Sequence, residues 1–217
     1  MARRTKEEAL ETRNHILDMA ERVFLEKGVS RTSLDDVAAS AGVTRGAIYW
    51  HFKNKADLFD ALMQRTSLPL EEMVPREADD PADPLGYIRA LTLRVVGRLI
   101  SDPQCRRVQE ICHFKVEYVD EMEQLRARHI DCCSSSRALI EKKMKSAAEK
   151  GLLDPSVDPK LAAVGLHSLV VGLIQNWLLD PKYLPLAKSA EDLIDSYLDR
   201  LRAPVKRRRK TKRKAHA

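Results

Sequence analysis

The sequence predicts an all-α protein: an N-terminal three-helix DNA-binding domain of the helix-turn-helix type, joined to a larger helical domain. Apolar residues recur at three- and four-residue spacing along most of the 217 residues, and no run alternates with period two between turn residues. Near the N-terminus the break "AGVT" separates two short amphipathic segments, the arrangement of a helix-turn-helix. The periodicity divides into about nine helices, and the chain is long enough to bury a proper apolar core.

The first helix is expected from about Lys6 to Lys27, with Ile16, Ala20, Val23 and Phe24 on one face and Gly28 behind it as a helix-ending residue. The second begins near Thr32 or Ser33, each followed three residues on by an aspartate in a capping-box pattern. Leu34, Val37, Ala38 and Ala41 form its buried stripe. Gly42 is free to take a positive φ, and Thr44 stands to cap a short third helix from Arg45 to about Phe52. Asn54 caps a fourth, whose apolar side is Leu58, Phe59 and Leu62. The proline-rich, acidic stretch "PREADDPADP" then marks a linker. Further helices are expected at Leu85 to Ser101, Pro103 to about Phe114, Tyr118 to Lys150, Pro159 to Leu179 and Ala190 to Leu201, with "GLLDPSVDP" as the clearest break. The resulting domains are a flexible basic arm over 1–9, a helix-turn-helix domain over 10–70 with its motif at about 33–52, a C-terminal domain over 83–203, and a disordered basic tail over 204–217.

The formal charge of +6 belongs to the tail: "KRRRKTKRK" carries eight basic residues, which leaves the rest of the chain at −2. The basic balance alone therefore says nothing about what the globular part binds. The charged N-terminus "MARRTKEEALETRNHIL" is no export signal, so a cytoplasmic protein is expected, with Cys105, Cys112, Cys132 and Cys133 as reduced thiols. "LAAVGLHSLVVGLIQNWLL" has the length of a membrane span. His167, Gln175 and Asn176 interrupt it, and a helix buried on two sides is the better account, so no membrane partner is expected. No nucleophile and base stand at a recognised spacing, and there is neither a phosphate-cradling glycine loop nor an H-E-x-x-H pair, so no enzyme and no cofactor are expected.

The third helix carries the chemistry. Ile48 and Phe52, four apart, face inward and fix its pose. Arg45 and Tyr49 share another face beside Gly46 and Trp50, as a recognition helix requires. Arg45 can donate to guanine O6 and N7 or to phosphate, Tyr49 offers a ring and a hydroxyl, and Gly46 admits close backbone approach. His51 and Lys55 are placed to clamp phosphates. Trp50 is left open between packing and the DNA backbone.

The stretch "TSLDDVAASAGVTRGAIYWHFKNKADLF" resembles the DNA-binding domain of the TetR family of bacterial repressors, whose pattern T-x-x-x-I-A-x-x-A-G-V-[ST]-x-G-x-[IL]-Y-x-[HY]-F-x-[NS]-K-x-x-L it follows with Val37 in the isoleucine position. The likeness covers roughly residues 10 to 66, and "TRGAIYWHFKNKA" looks like the AcrR-like branch, which controls multidrug efflux operons. The resemblance implies operator contacts by Thr44, Arg45, Gly46, Tyr49, His51 and Lys55, with phosphate contacts from Arg3, Arg4 and Lys6 in the arm. The implied partners are a palindromic double-stranded operator, a small-molecule inducer and a second copy of the chain in a homodimer.

By the same resemblance, Ile88, Leu91, Thr92, Val95, Gln109, His113, Ile140, His167, Val170 and Val171 line an inducer pocket for an apolar or aromatic molecule. His167 stands where close relatives have an aromatic residue, and Val171 where some have an acid. The long helix carries the stripe Met122, Leu125, His129, Cys132, Ser136, Ile140, whose mixed middle suits a cavity wall or a loosely packed core. A dimer face is expected from Gly165 and Gly172 on one helix with Leu193, Tyr197 and Leu198 on the next. Two rival readings are a metal or thiol sensor using the cysteines and His113, and an architectural DNA-binding protein working through its tail. C-x6-C is not a usual zinc spacing, and no metal site is expected.

Overall fold

Short polar side chains at the helix starts set the N-terminal architecture of the chain, seen in a computed structural model. The structure describes residues 6–66, 80–117 and 123–203, without the side chains of Gln124, Leu125, Arg128 and Cys132. The basic arm with Arg3 and Arg4, the tail, and Met122, Leu125 and Cys132 of the expected stripe lie outside it. The described residues form nine helices and no strand, beyond a single bridge between Leu153 and Arg202.

Helix α1, Lys6–Lys27, ends at Gly28, whose φ of 85° only glycine adopts without strain. Helix α2, Leu34–Ser40, starts with the expected capping box: the Ser33 hydroxyl accepts from the Asp36 amide and the Asp36 carboxylate accepts from the Ser33 amide. Hydrogen bonds from the Ser33 hydroxyl and amide and from Lys27 pull the Asp36 carboxyl down from 3.8 to about 2. A folded-state value below the unfolded one means that the carboxylate's stabilisation is complete above 3.8 and disappears as pH falls through about 2. Ser33→Ala is accordingly expected to cost about 1 kcal/mol at neutral pH and less at acid pH; thermal melts at the two pH values check it.

Helix α3, Arg45–His51, is capped by Thr44, whose hydroxyl accepts from the Ala47 amide at 3.2 Å. Helix α4, Lys55–Thr66, starts at Asn54, which accepts from the Asp57 amide at 2.8 Å. These four helices make the head. Its core gathers Phe24, Val37, Ile48, Phe52, Phe59 and Leu62, among others.

The body comprises α5, Pro84–Ser101; α6, Pro103–Phe114; α7, Glu123–Glu149; α8, Pro159–Leu179; and α9, Leu186–Leu201. Helix α9 begins four residues before the stripe suggested, because Leu186 is itself buried and Pro185 supplies the turn before it. Arg89 of α5 clamps α9 by donating to Asp195 at 2.8 Å and to Glu191 at 2.7 Å. Helix α8 is long and apolar enough to cross a membrane. It instead buries Ala162, Ala163, Leu166, Val170, Leu173, Ile174 and Trp177 against the rest of the body.

Of the expected inward stripe of α7, the described side chains are exposed at His129, half-buried at Ser136 and buried at Ile140. Ile140, Met144 and Ala147 are buried, whereas His129 and Ile130 are exposed.

Helix α6 joins the head core and also packs on the body. Val108, Ile111 and Cys112 lie in the head core, while the Arg106 guanidinium stacks 4.9 Å from the Trp177 ring in the body. Head and body are further joined where the Val29 amide donates to the Lys115 carbonyl at 2.8 Å and the Ser30 hydroxyl to the Glu117 carbonyl at 3.3 Å. Glu21 of α1, only 3% exposed, is held by Arg107 and, at 3.4 Å, by Gln104 of α6.

Candidate nucleic-acid interface and effector core

Helix α3 is seven residues long and cannot bury a whole circumference. Ile48 and Phe52 take the inward positions, completely enclosed, with the Arg13 guanidinium 5.1 Å from the Phe52 ring. What remains points outward. Tyr49 is 45% exposed and Trp50 73%, values that separate them from the core and settle the packing question for Trp50. The Arg45 guanidinium lies 5.4 Å from the centre of the Tyr49 ring, so the two form one cation–π unit. Trp50 meets His51 edge-on, with ring centroids 4.5 Å apart. A Cβ added at Gly46 would meet only the Thr44 hydroxyl, at 3.9 Å, so nothing inside the head demands a glycine there.

Beside α3 an open groove of about 480 Å³ runs between the start of α2 and the turn into α4. Arg31, Thr32, Ser33, Tyr49, Lys53 and Lys55 are among its walls. Here the structure adds to the expected set. Arg31 and Lys53 were not singled out from the sequence, and Ser33 only as a helix cap, although the polar, basic runs "RTS" and "KNK" at two helix starts are the kind of signal that marks phosphate contacts. Lys55, expected only as a clamp, also ties the head together, since its ammonium donates to the Ser30 carbonyl at 3.0 Å.

The residues expected to line an inducer pocket come together only in part. Ile88, Ile140 and Val170 share the main body core, whereas Leu91 packs with Tyr87, Val95 and Leu139 in a smaller cluster. Thr92 is buried and satisfies its hydroxyl within α5, donating to the Ile88 carbonyl at 2.8 Å. Gln109, His113, His167 and Val171 are half-buried. Burial, then the like charge of His129, lowers the pKa of His113; burial, then Arg137 and His129, lowers that of His167. Both rings are thereby biased toward neutral imidazole, which can donate and accept hydrogen bonds.

Three residues of the expected dimer face are engaged within their own chain. Leu198 is 2% exposed and points into the body one turn beyond Ile194, so no partner can reach it. Gly165 is small for its own chain's sake: a Cβ there would run into the Tyr197 hydroxyl. Tyr197 donates that hydroxyl to the Ala162 carbonyl at 2.9 Å. Gly172 faces open space and Leu193 is exposed. Leu161, Val164 and Leu179 are exposed apolar side chains on the same long helix.

Of the described cysteines, Cys105 and Cys112 are buried and Cys133 is half-buried. Burial raises the Cys105 pKa, and Cys112 is buried with its Sγ 2.9 Å from the Met63 sulfur. No three metal-ligating side chains converge among the described residues.

This geometry recurs in known proteins. A family profile described as "Bacterial regulatory proteins, tetR family" matches residues 16–62, and one described as "MAATS-type transcriptional repressor, C-terminal region" matches residues 83–203. The chain is 42% identical over 203 residues to the HTH-type transcriptional regulator TtgR of Pseudomonas putida, covering 93% of this chain and 97% of that one. It superposes on NalD, the secondary repressor of the MexAB-OprM multidrug efflux pump in Pseudomonas aeruginosa, with a TM-score of 0.83 and 36% identity over 91% of this chain and 98% of that one. A complex of triclosan with SmeT, the repressor of the Stenotrophomonas maltophilia efflux pump SmeDEF, gives a TM-score of 0.74 and 30% identity over 90% of this chain and 93% of that one. A head that presents α3 outward, a helical body fused to it through α6, and likeness along nearly the whole chain lead to one conclusion: this protein is a transcriptional regulator of the TetR family, and not an enzyme.

Proposed function

We propose that the protein is a cytoplasmic, homodimeric repressor of a multidrug efflux operon, bound to a palindromic operator through the α3 helix of each copy. An apolar or aromatic inducer in the body releases it. The observation that carries the release mechanism is the bridging position of α6, which lends Val108, Ile111 and Cys112 to the head core while Arg106 stacks on Trp177 of the body. A ligand that binds better to a state with α6 displaced must shift the head with it, because packed cores switch between arrangements rather than stretch. NalD and SmeT are efflux-pump repressors, and SmeT has been seen with triclosan.

In this reading Thr44, Arg45, Gly46, Tyr49, His51 and Lys55 contact the operator. Arg45 and Tyr49 read bases; His51, Lys55 and the added Arg31, Ser33 and Lys53 hold the backbone. Ile88, Leu91, Thr92, Val95, Gln109, His113, Ile140, His167, Val170 and Val171 enclose the inducer. Gly172, Leu193, Leu161, Val164 and Leu179 form the dimer face, since exposed apolar side chains on two neighbouring helices suit a four-helix interface.

Lys55→Ala is expected to weaken binding to all duplexes alike and to lower the slope of log K against log salt by about 1. Anisotropy titrations at several salt concentrations check it. The function itself is tested by deleting the gene and measuring transcripts, together with titration of the selected operator with and without triclosan. Raised transcripts of an efflux pump and weakened operator binding are the expected results. Intact operator binding with unchanged pump transcripts removes the efflux assignment and leaves the regulator.

A further inference from the structure

The surface that should meet a polyanion carries an acidic side chain, Asp35, in the first turn of α2 but outside its capping box. Of the adjacent pair at the start of α2, Asp36 closes the capping box and pairs with Lys27 at 3.2 Å. Asp35 takes no part in that cap. Its Oδ1 lies 3.4 Å from the Nε of Arg45, and both side chains are mostly exposed. An exposed pair of this kind adds little to stability, and a carboxylate facing phosphates lowers affinity for any DNA.

Arg45 is itself awkwardly placed. It is the first residue of α3, where the positive end of the helix disfavours a cation, and the first turn of α3 holds no acid. Thr44 already supplies the cap. The guanidinium is instead held from two sides, by the Asp35 carboxylate and by the Tyr49 ring at 5.4 Å. A long side chain fixed by two partners loses less freedom when it docks on a base edge, and its planar fork arrives already oriented.

We infer that Asp35 is a specificity-determining positioning residue: it orients Arg45 for one base and lowers affinity for DNA that does not offer that base. The inference rests on Arg45 reading a base. It adds that this reading depends on a carboxylate from a different helix, which itself contacts no DNA.

The test is selection of duplexes from a random pool by the wild-type protein and by Asp35→Asn, Asp35→Glu and Arg45→Ala, with helix content and melting checked by circular dichroism. Asp35→Asn preserves size and removes the charge. The expected result is that Asp35→Asn degrades the base preference at the same positions as Arg45→Ala. Discrimination there should fall about tenfold, within the span of a good bidentate contact, while affinity for a scrambled duplex rises; Asp35→Glu should restore part of the preference. If Arg45→Ala relaxes the consensus but Asp35→Asn leaves it intact, and raises affinity for consensus and scrambled duplexes by the same factor, Asp35 is only a charge and the inference falls alone. An Arg45→Ala consensus identical to the wild-type one removes the base-reading role of Arg45, and the inference with it.

Discussion

Tyr49→Ala is expected to lower affinity for the selected operator by about 100-fold while leaving a folded dimer. The magnitude follows from losing one direct contact and disturbing a second, each worth about 1–3 kcal/mol, because the Tyr49 ring is also the platform on which the Arg45 guanidinium lies. The folded state should survive because the ring is 45% exposed and Ile48 and Phe52 alone anchor that helix. Anisotropy on operator and scrambled duplexes, with sedimentation for the dimer, measures both halves of the claim. Unchanged operator affinity would remove α3 from the account of recognition.

The second large effect concerns the joint between head and body. Arg107→Ala leaves the enclosed Glu21 carboxylate with only the long contact from Gln104. Removing one partner of a buried pair costs about 3–5 kcal/mol. The Arg107 side chain is itself about half exposed, so about 2–3 kcal/mol is the better expectation here, a fall in melting temperature of roughly 5–10 °C. The double variant Glu21→Leu with Arg107→Leu should recover most of that loss, since the cost lies in the unpaired charge rather than in missing volume. Calorimetry on the three proteins separates these. A double variant as unstable as the single one would assign the effect to packing. Because the pair spans α1 and α6, the double variant should also respond more weakly to an inducer than the wild type, even where its stability is restored.

Most of the head was legible in the sequence for a local reason. Capping residues and glycines act within a few positions of themselves, so Ser33, Thr44, Asn54, Gly28 and Gly42 announced helix boundaries that the structure reproduces. The inward pair Ile48 and Phe52 followed from four-residue spacing on a helix too short to hide every ring. In the body, the same reasoning placed Pro103–Phe114 and Pro159–Leu179 at their observed bounds, yet it misjudged faces. Leu193, Tyr197 and Leu198 were expected together at a dimer face. In the fold Ile194 and Leu198 point inward, Leu193 faces out, and Tyr197 spends its hydroxyl on the neighbouring helix. Periodicity shows that a helix has an apolar side without showing which neighbour covers it.

The sequence by itself determined the all-helical class, the helix-turn-helix and the outward Arg45 and Tyr49, because each depends on contacts between residues a few positions apart. Only the tertiary structure decided that α6 joins the head core while stacking on the body, that Glu21 meets Arg107, that Lys55 holds Ser30, and that Asp35 rather than Asp36 faces Arg45. Those pairings join residues that are far apart in the chain or on different helices. Their geometry is set by how the helices pack, which no local pattern of residues encodes.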